Sequence, residues 1–165
     1  MNKQEIFQGL WTITNQKQDA CKAEVEAIGK DHPTERGALQ MRAGIYNVAI
    51  AAGLLCGKES SMAQMSKRFS TLTQHFFPKL ATYYQSLSEE EQGLMEIALY
   101  PEVFMRANFY GTYYTELTEA EKEGDPQKIF RARIKKEVLE EILAMWREFR
   151  VQNNLFPQIF DGKED

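Results

Sequence analysis

Histidine and cysteine are scarce in this chain, which contains two of each among 165 residues. His32 and His75 lie far apart and have no acidic or cysteine residues beside them at metal-ligand spacing, so we predict no metal site. A catalytic cysteine needs a base placed beside its thiol, and neither Cys21 nor Cys56 lies in a basic or His-containing motif that would place one there. The ten glycines are scattered and form no phosphate-binding loop. We therefore predict a protein that is not an enzyme and carries no cofactor.

Long hydrophobic runs and an excess of positive charge are also missing. The most apolar stretch, residues 41–56, contains Arg42 and is shorter than the roughly 20 apolar residues that cross a bilayer. The N-terminus alternates polar and apolar residues, unlike a signal peptide. A net charge of −4 disfavours general binding to nucleic acid. We predict a cytoplasmic protein without membrane insertion, although export by a dedicated secretion system would give the same sequence.

The remaining composition is that of a helical protein. Apolar residues recur at steps of three and four along most of the chain, which is typical of amphipathic helices. Residues 41–56 are apolar on nearly every side of a helical wheel, as expected for a helix surrounded by others. We predict an all-α, single-domain bundle of five to six helices around a buried central helix, 41–56. The bundle domain spans residues 1–152, and the apolar tail, 153–165, docks on the bundle or on a partner.

Several local signals mark the helix boundaries. Residues 61–64 and 88–91 fit capping boxes, in which two side chains satisfy free backbone amides at a helix start. Pro78 is expected to interrupt a helix, because proline removes an amide donor. Pro101 and Pro126 are each expected at the first position of a new helix, where that donor is not needed.

Aromatic residues are concentrated between positions 100 and 114, on more than one face of a helix. If Phe104, Tyr110 and Tyr114 fill the core, Phe109 and Tyr113 must face elsewhere. One interpretation is a crowded helix that the bundle covers on both sides. The other is a partner-binding surface, because tyrosines offer a large contact area with a polar edge. For that surface we predict four residues, two from the helix and two from the tail: Phe109, Tyr113, Phe156 and Phe160.

Positive charge is concentrated near the start of the last helix. Lys128, Arg131 and Lys135 share one helical face, which predicts a docking site for an acidic protein or a phosphate. The alternative is a solvated face whose charges compensate the acidic stretch before it, residues 116–125.

Two further hypotheses compete with these. His75 precedes Phe76, Phe77 and the interrupting Pro78, so a small apolar ligand could lie between helices in a pocket lined by His75, Phe76, Phe104 and Tyr110. The simpler reading of His75 is a hydrogen-bonded, partly buried side chain. A weaker pattern, from Ala49 to Arg68, resembles a helix-turn-helix DNA-binding regulator.

Taken together, these features predict a non-enzymatic protein–protein interaction module, such as an adaptor, a chaperone-like protein or a regulatory subunit. Its apolar and aromatic side chains exceed what one short bundle must bury. The predicted partner is another protein or a second copy of the chain, as a homodimer. The alternatives are a ligand-binding helical protein and, more weakly, the DNA-binding regulator.

Overall fold

The computed structural model describes residues 1–55 and 62–161, and these residues contain helices and no strands. The α-helices are α1 (Lys3–Ile28), α2 (Pro33–Val48), α3 (Met62–Phe76), α4 (Pro78–Ser86), α5 (Glu89–Met105), α6 (Gly111–Glu123) and α7 (Pro126–Gln152). Two π-helical segments, π1 (Ala49–Leu55) and π2 (Arg106–Tyr110), continue α2 and join α5 to α6. The described residues therefore form six continuous helical segments, and the predicted all-α bundle is confirmed.

Most of the predicted helix boundaries are confirmed. Ser88 accepts the amide of Glu91 and the Glu91 carboxylate accepts the amide of Ser88, which is the predicted capping box at the start of α5. Pro78 separates α3 from α4, and Pro126 begins α7 with Asp125 as its N-cap. The capping box predicted at residues 61–64 depends on position 61, which lies outside the described residues.

The prediction for Pro101 was wrong, because Pro101 lies inside α5 and the helix continues to π2. A proline in a helix interior costs about 3 kcal/mol. Here, however, every residue from Ala98 to Val103 is buried, and Pro101 packs against Gly53 of π1. The enclosure of α5 by its neighbours outweighs the missing hydrogen bond, because tertiary packing supplies most of the stability of a helix in a protein.

The core has two hydrophobic clusters. The first contains residues of α1, α2, π1 and α7, with Trp146 fully buried in it. The second joins α3 to α5 and includes Phe69 and Leu99. Half-buried Phe104 packs against both clusters. The apolar face of α3, the recognition helix of the helix-turn-helix hypothesis, thus lies in the core, and DNA binding stays a prediction.

Within the predicted central helix, residues 41–55 are described and Cys56 is not. One face of this segment is buried in the first cluster, at Ala43, Ile45, Tyr46, Ala49, Ile50 and Leu54. The opposite face is exposed at Gly44, Asn47 and Ala51. Gly53 faces the core, since a Cβ placed there would lie 3.6 Å from the Trp146 ring, in ordinary van der Waals contact.

Two helical glycines should respond to alanine in opposite ways. A Cβ on Gly44 would meet nothing within 4 Å, so Gly44→Ala is expected to raise the free energy of unfolding by about 0.5–1 kcal/mol through helix propensity. A Cβ on Gly9 would lie 2.5 Å from the Phe149 ring, so Gly9→Ala is expected to lower it by about 1–3 kcal/mol by displacing that ring. Urea unfolding of both variants measures the difference. Equal stabilisation by both would contradict the contact between Gly9 and Phe149.

The tail folds back on the bundle from residue 153 to residue 161. Leu155 is buried, and Phe156, Ile159 and Phe160 pack against the second cluster. Phe156 and Phe160 adopt left-handed backbone conformations, with φ of 50° and 55°, which are unfavourable for bulky residues. Contacts elsewhere in the tail must therefore hold these two residues in place.

Candidate functional site

The four predicted partner-binding aromatics are buried or half-buried. Tyr113 is 9% exposed, and half-buried Phe109 packs beside it with ring centroids 5.8 Å apart. Phe156 and Phe160 pack against the second cluster. These four residues do not form one exposed aromatic face, which favours the interpretation of a helix covered on both sides. Their role in binding stays a prediction.

The three predicted basic residues lie together in a shallow cavity of about 280 Å³ between α6 and α7. The same cavity is lined by three acidic residues of α6, and two ion pairs cross it. Lys128 Nζ lies 2.7 Å from Glu123, and Lys135 Nζ lies 3.0 Å from Glu116. Arg131 lies between these pairs and is exposed. This face is therefore largely neutralised by its own chain, as the solvated-face interpretation expected, and a docking role stays a prediction.

The four predicted pocket residues lie on three elements and differ in burial. His75 and Phe76 are exposed at the end of α3, with Phe76 47% exposed. Phe104 and Tyr110 are half-buried on α5 and π2. A larger surface groove, of about 630 Å³, lies between α1 and Phe149 and is lined by none of these four residues. The ligand-binding alternative therefore stays a prediction.

A buried ion pair that the sequence analysis missed connects α5, α7 and the tail. The side chains of Arg150 and Glu102 are both fully buried. Arg150 donates from Nε and one Nη to the two carboxylate oxygens of Glu102, at 2.6 and 3.1 Å. It also donates to the carbonyl oxygens of Phe156, at 2.7 Å, and Ile159, at 3.0 Å. One arginine thus fixes the tail against the bundle.

Two further arginines lie one helical turn away from the members of this ion pair. Arg106 lies four residues after Glu102, and Arg147 lies three residues before Arg150. Burial raises the pKa of Glu102, and the charges of Arg150, Arg106 and Arg147 oppose that rise. Three guanidinium groups therefore act on one carboxylate. We call these four residues, together with Phe160, the arginine site.

The charge of the arginine site is not balanced. In the part of the chain that the structure describes, Arg106 and Arg147 form no ion pair, and the Nε of each is buried without a hydrogen-bond partner. Arg150 already occupies both oxygens of Glu102, and both unpaired arginines are half-buried. Their positive charge therefore lies partly in contact with solvent and is not offset by an ion pair among the described residues.

Aromatic rings hold Arg106 in place. Its guanidinium carbon lies 4.3 Å from the centroid of the Phe160 ring and 5.8 Å from that of Tyr110, both within the range of cation–π attraction. Phe160 in turn contacts Phe77, with ring centroids 5.3 Å apart. Two of the predicted residues, Phe160 and Tyr110, thus meet through an arginine that was not predicted.

Cys21 is buried and forms no disulfide among the described residues. Burial raises the pKa of the Cys21 thiol, which disfavours the thiolate at neutral pH. Cys56 lies outside the described residues. Residues 1–55 and 62–161 contain no cluster of histidine, cysteine and acidic side chains suited to a metal ion. Over the same residues, no helix has both the length and the apolar character needed to cross a membrane.

Comparison of the chain with protein-family models, with curated proteins and with solved structures finds no match. What the chain binds is therefore inferred from the arginine site itself.

Proposed function

We propose that this protein is a non-enzymatic interaction module that binds a partner protein at the arginine site. The observation that carries the proposal is the pair of arginines without an ion-pair partner among the described residues, Arg147 and Arg106, of which Arg106 lies over the Phe160 ring. Arginine and aromatic residues are enriched at protein interfaces and among the residues that dominate binding energy. The left-handed backbone of Phe156 and Phe160 also supports it, because strained residues cluster at binding sites.

The charge distribution supports one acidic partner. The chain as a whole carries a net charge of −4, so a local positive site stands out and steers an anionic surface toward it. The basic face on α7 is a weaker candidate, because Lys128 and Lys135 are paired within the chain. A homodimer through the arginine site is disfavoured, since a symmetric contact would place like charges opposite each other.

Differential partner capture tests the proposal. We expect the double variant Arg106→Gln/Arg147→Gln to lose bound proteins that the unmodified chain retains from lysate, with at least about a tenfold drop in recovery as measured by quantitative mass spectrometry. Capture by the unmodified chain is also expected to weaken as salt rises from about 50 to about 300 mM.

The matched control is Lys22→Gln/Arg133→Gln, which removes two exposed positive charges from α1 and α7. It changes the net charge by the same amount and should capture the same proteins as the unmodified chain. Equal capture by both double variants, each with an unchanged thermal melting curve, would overturn the proposal.

A further inference from the structure

We infer that the arginine site recognises a phosphoryl group, carried on a phosphorylated serine or threonine of the partner. This inference rests on the proposed function and names the chemistry that the site selects. It follows from three properties of the site: the amount of unpaired positive charge, the arginine N–H donors without a partner, and the location of that charge in one cluster.

The charge count favours a dianion. Arg150 and Glu102 form a buried ion pair and balance each other, which leaves the positive charges of Arg106 and Arg147. A phosphomonoester carries about −1.5 to −2 near neutral pH and can balance the remaining charge as a single group. An aspartate or glutamate of the partner carries a single charge and leaves the site positive. One phosphoryl group therefore fits better than one carboxylate.

The available donors also suit phosphate. The guanidinium of Arg150 is occupied by Glu102 and by two tail carbonyls. Arg106 and Arg147 form no ion pair with the described residues, and since their Nε atoms are buried, the Nη groups are the donors within reach of an anion. A guanidinium presents a planar fork of N–H groups that matches phosphate oxygens. Clusters of arginine residues recognise phosphorylated motifs through such groups.

The confinement of the charge favours a phosphorylated peptide over a nucleic acid. Nucleic acids require cations that follow a repeating backbone, whereas this site is one cluster on an acidic chain. Aromatic side chains adjoin it: Phe160 contacts Phe77 in an edge-to-face arrangement, and Phe76 is exposed beside Phe77. These rings offer an apolar surface to the residues that flank a phosphorylated side chain.

The first experiment uses inorganic phosphate as the probe. In protein labelled with ¹⁵N-arginine, the Nε–Hε signals of Arg106 and Arg147 are expected to shift saturably with phosphate. Acetate at matched ionic strength should require at least about tenfold higher concentration for the same shift. The Arg133 signal serves as an internal control, because that side chain is exposed. Equal responses to phosphate and acetate, or no response of Arg106 and Arg147 to either, would overturn the inference.

The second experiment identifies the source of the phosphoryl group. A degenerate peptide pool with a fixed phosphoserine is compared, by fluorescence anisotropy, with the same pool carrying serine or glutamate. We expect the phosphoserine pool to bind at least about tenfold more tightly than the serine pool, and the difference to disappear in Arg106→Gln/Arg147→Gln. The Lys22→Gln/Arg133→Gln control should retain it.

The outcomes separate this inference from the proposed function. Equal binding of the three pools, with partner capture still lost in the arginine variant, would overturn phosphate recognition and leave the interaction module intact. A phosphoserine pool that binds no better than inorganic phosphate would overturn the peptide source and indicate a site for free anions. Loss of the phosphoserine preference in the control variant would place recognition outside the arginine site.

Discussion

Replacing Arg150 with methionine is expected to lower the free energy of unfolding by about 3–5 kcal/mol, the usual effect of removing one partner from a buried ion pair. Arg150→Met leaves the fully buried carboxylate of Glu102 without its counterion and removes the donor from two tail carbonyls. Since native domains are stable by only about 5–15 kcal/mol, this single change removes a large part of the total. Urea unfolding followed by circular dichroism and fluorescence measures it.

Two variants on the same site make this test specific. Arg147→Met removes a half-buried arginine without an ion pair among the described residues and is expected to cost less than about 1 kcal/mol. Glu102→Leu/Arg150→Met removes both charges and should restore most of the free energy of unfolding that Arg150→Met loses. An apolar pair often replaces a buried ion pair without loss of stability. An Arg150→Met cost as small as that of Arg147→Met would contradict the buried pair.

The same variant should be sensitive to pH. Burial already raises the pKa of Glu102, and Arg150 is the first of the charges that oppose the rise. In Arg150→Met the pKa of Glu102 in the folded state therefore moves further above its value in the unfolded state. Folding of the variant is then accompanied by binding of a proton to this carboxyl. The stability of the variant should thus rise relative to the unmodified protein as the pH falls, and decrease as the pH rises through the folded-state pKa. Unfolding curves across the acidic range follow this difference.

Trp146→Ala is the second change expected to have a large effect, with a loss of about 3–5 kcal/mol. Trp146 is fully buried and connects three elements. Its Nε1 donates to the hydroxyl of Thr14 on α1, at 2.9 Å, and its ring packs against Gly53 of π1. Alanine leaves a cavity between α1, π1 and α7, which well-packed neighbours fill only in part. Chemical denaturation followed by circular dichroism measures the loss.

Thr14→Val and Phe130→Ala separate the contributions at this position. Thr14→Val keeps the side-chain shape but leaves the Trp146 N–H without an acceptor, and is expected to cost about 1–3 kcal/mol. Phe130 lies on the same helix as Trp146 and is 45% exposed, so Phe130→Ala should change stability by less than about 1 kcal/mol. A similar loss from Trp146→Ala and Phe130→Ala would show that Trp146 is not the packing centre of the first cluster.

The helices were predictable because their signals are local. The apolar stripes of α1 and α7 and the capping box at Ser88 depend on residues within one or two turns. The continuation of α5 through Pro101 was not predictable, because it depends on burial by other elements. The π segments were not predictable either, since a change of hydrogen-bond register leaves little trace in an apolar pattern with a period near 3.6 residues.

The arginine site could not be predicted from the density of charge along the sequence. Lys128, Arg131 and Lys135 form the densest basic face, yet the acidic residues that neutralise them lie on the helix just before. The more informative signal was a lone charge in apolar surroundings, namely Glu102. Such a residue cannot remain buried without a partner. That partner, Arg150, lies on another helix far along the chain, so only the folded structure brings the pair together.

The π2 segment also has a consequence for comparing this chain with relatives. A π-helical turn closes its hydrogen bonds over one more residue than an α-helical turn. Deletion of a single residue within positions 106–110 would therefore let α5 run into α6 as one uniform α-helix. A relative that lacks the wider turn would align with a one-residue gap inside a helix, where sequence alignments rarely place gaps. Alignments that forbid this gap would match Arg106 to the wrong position. Equivalent residues of the arginine site would then not be recognised in such a relative.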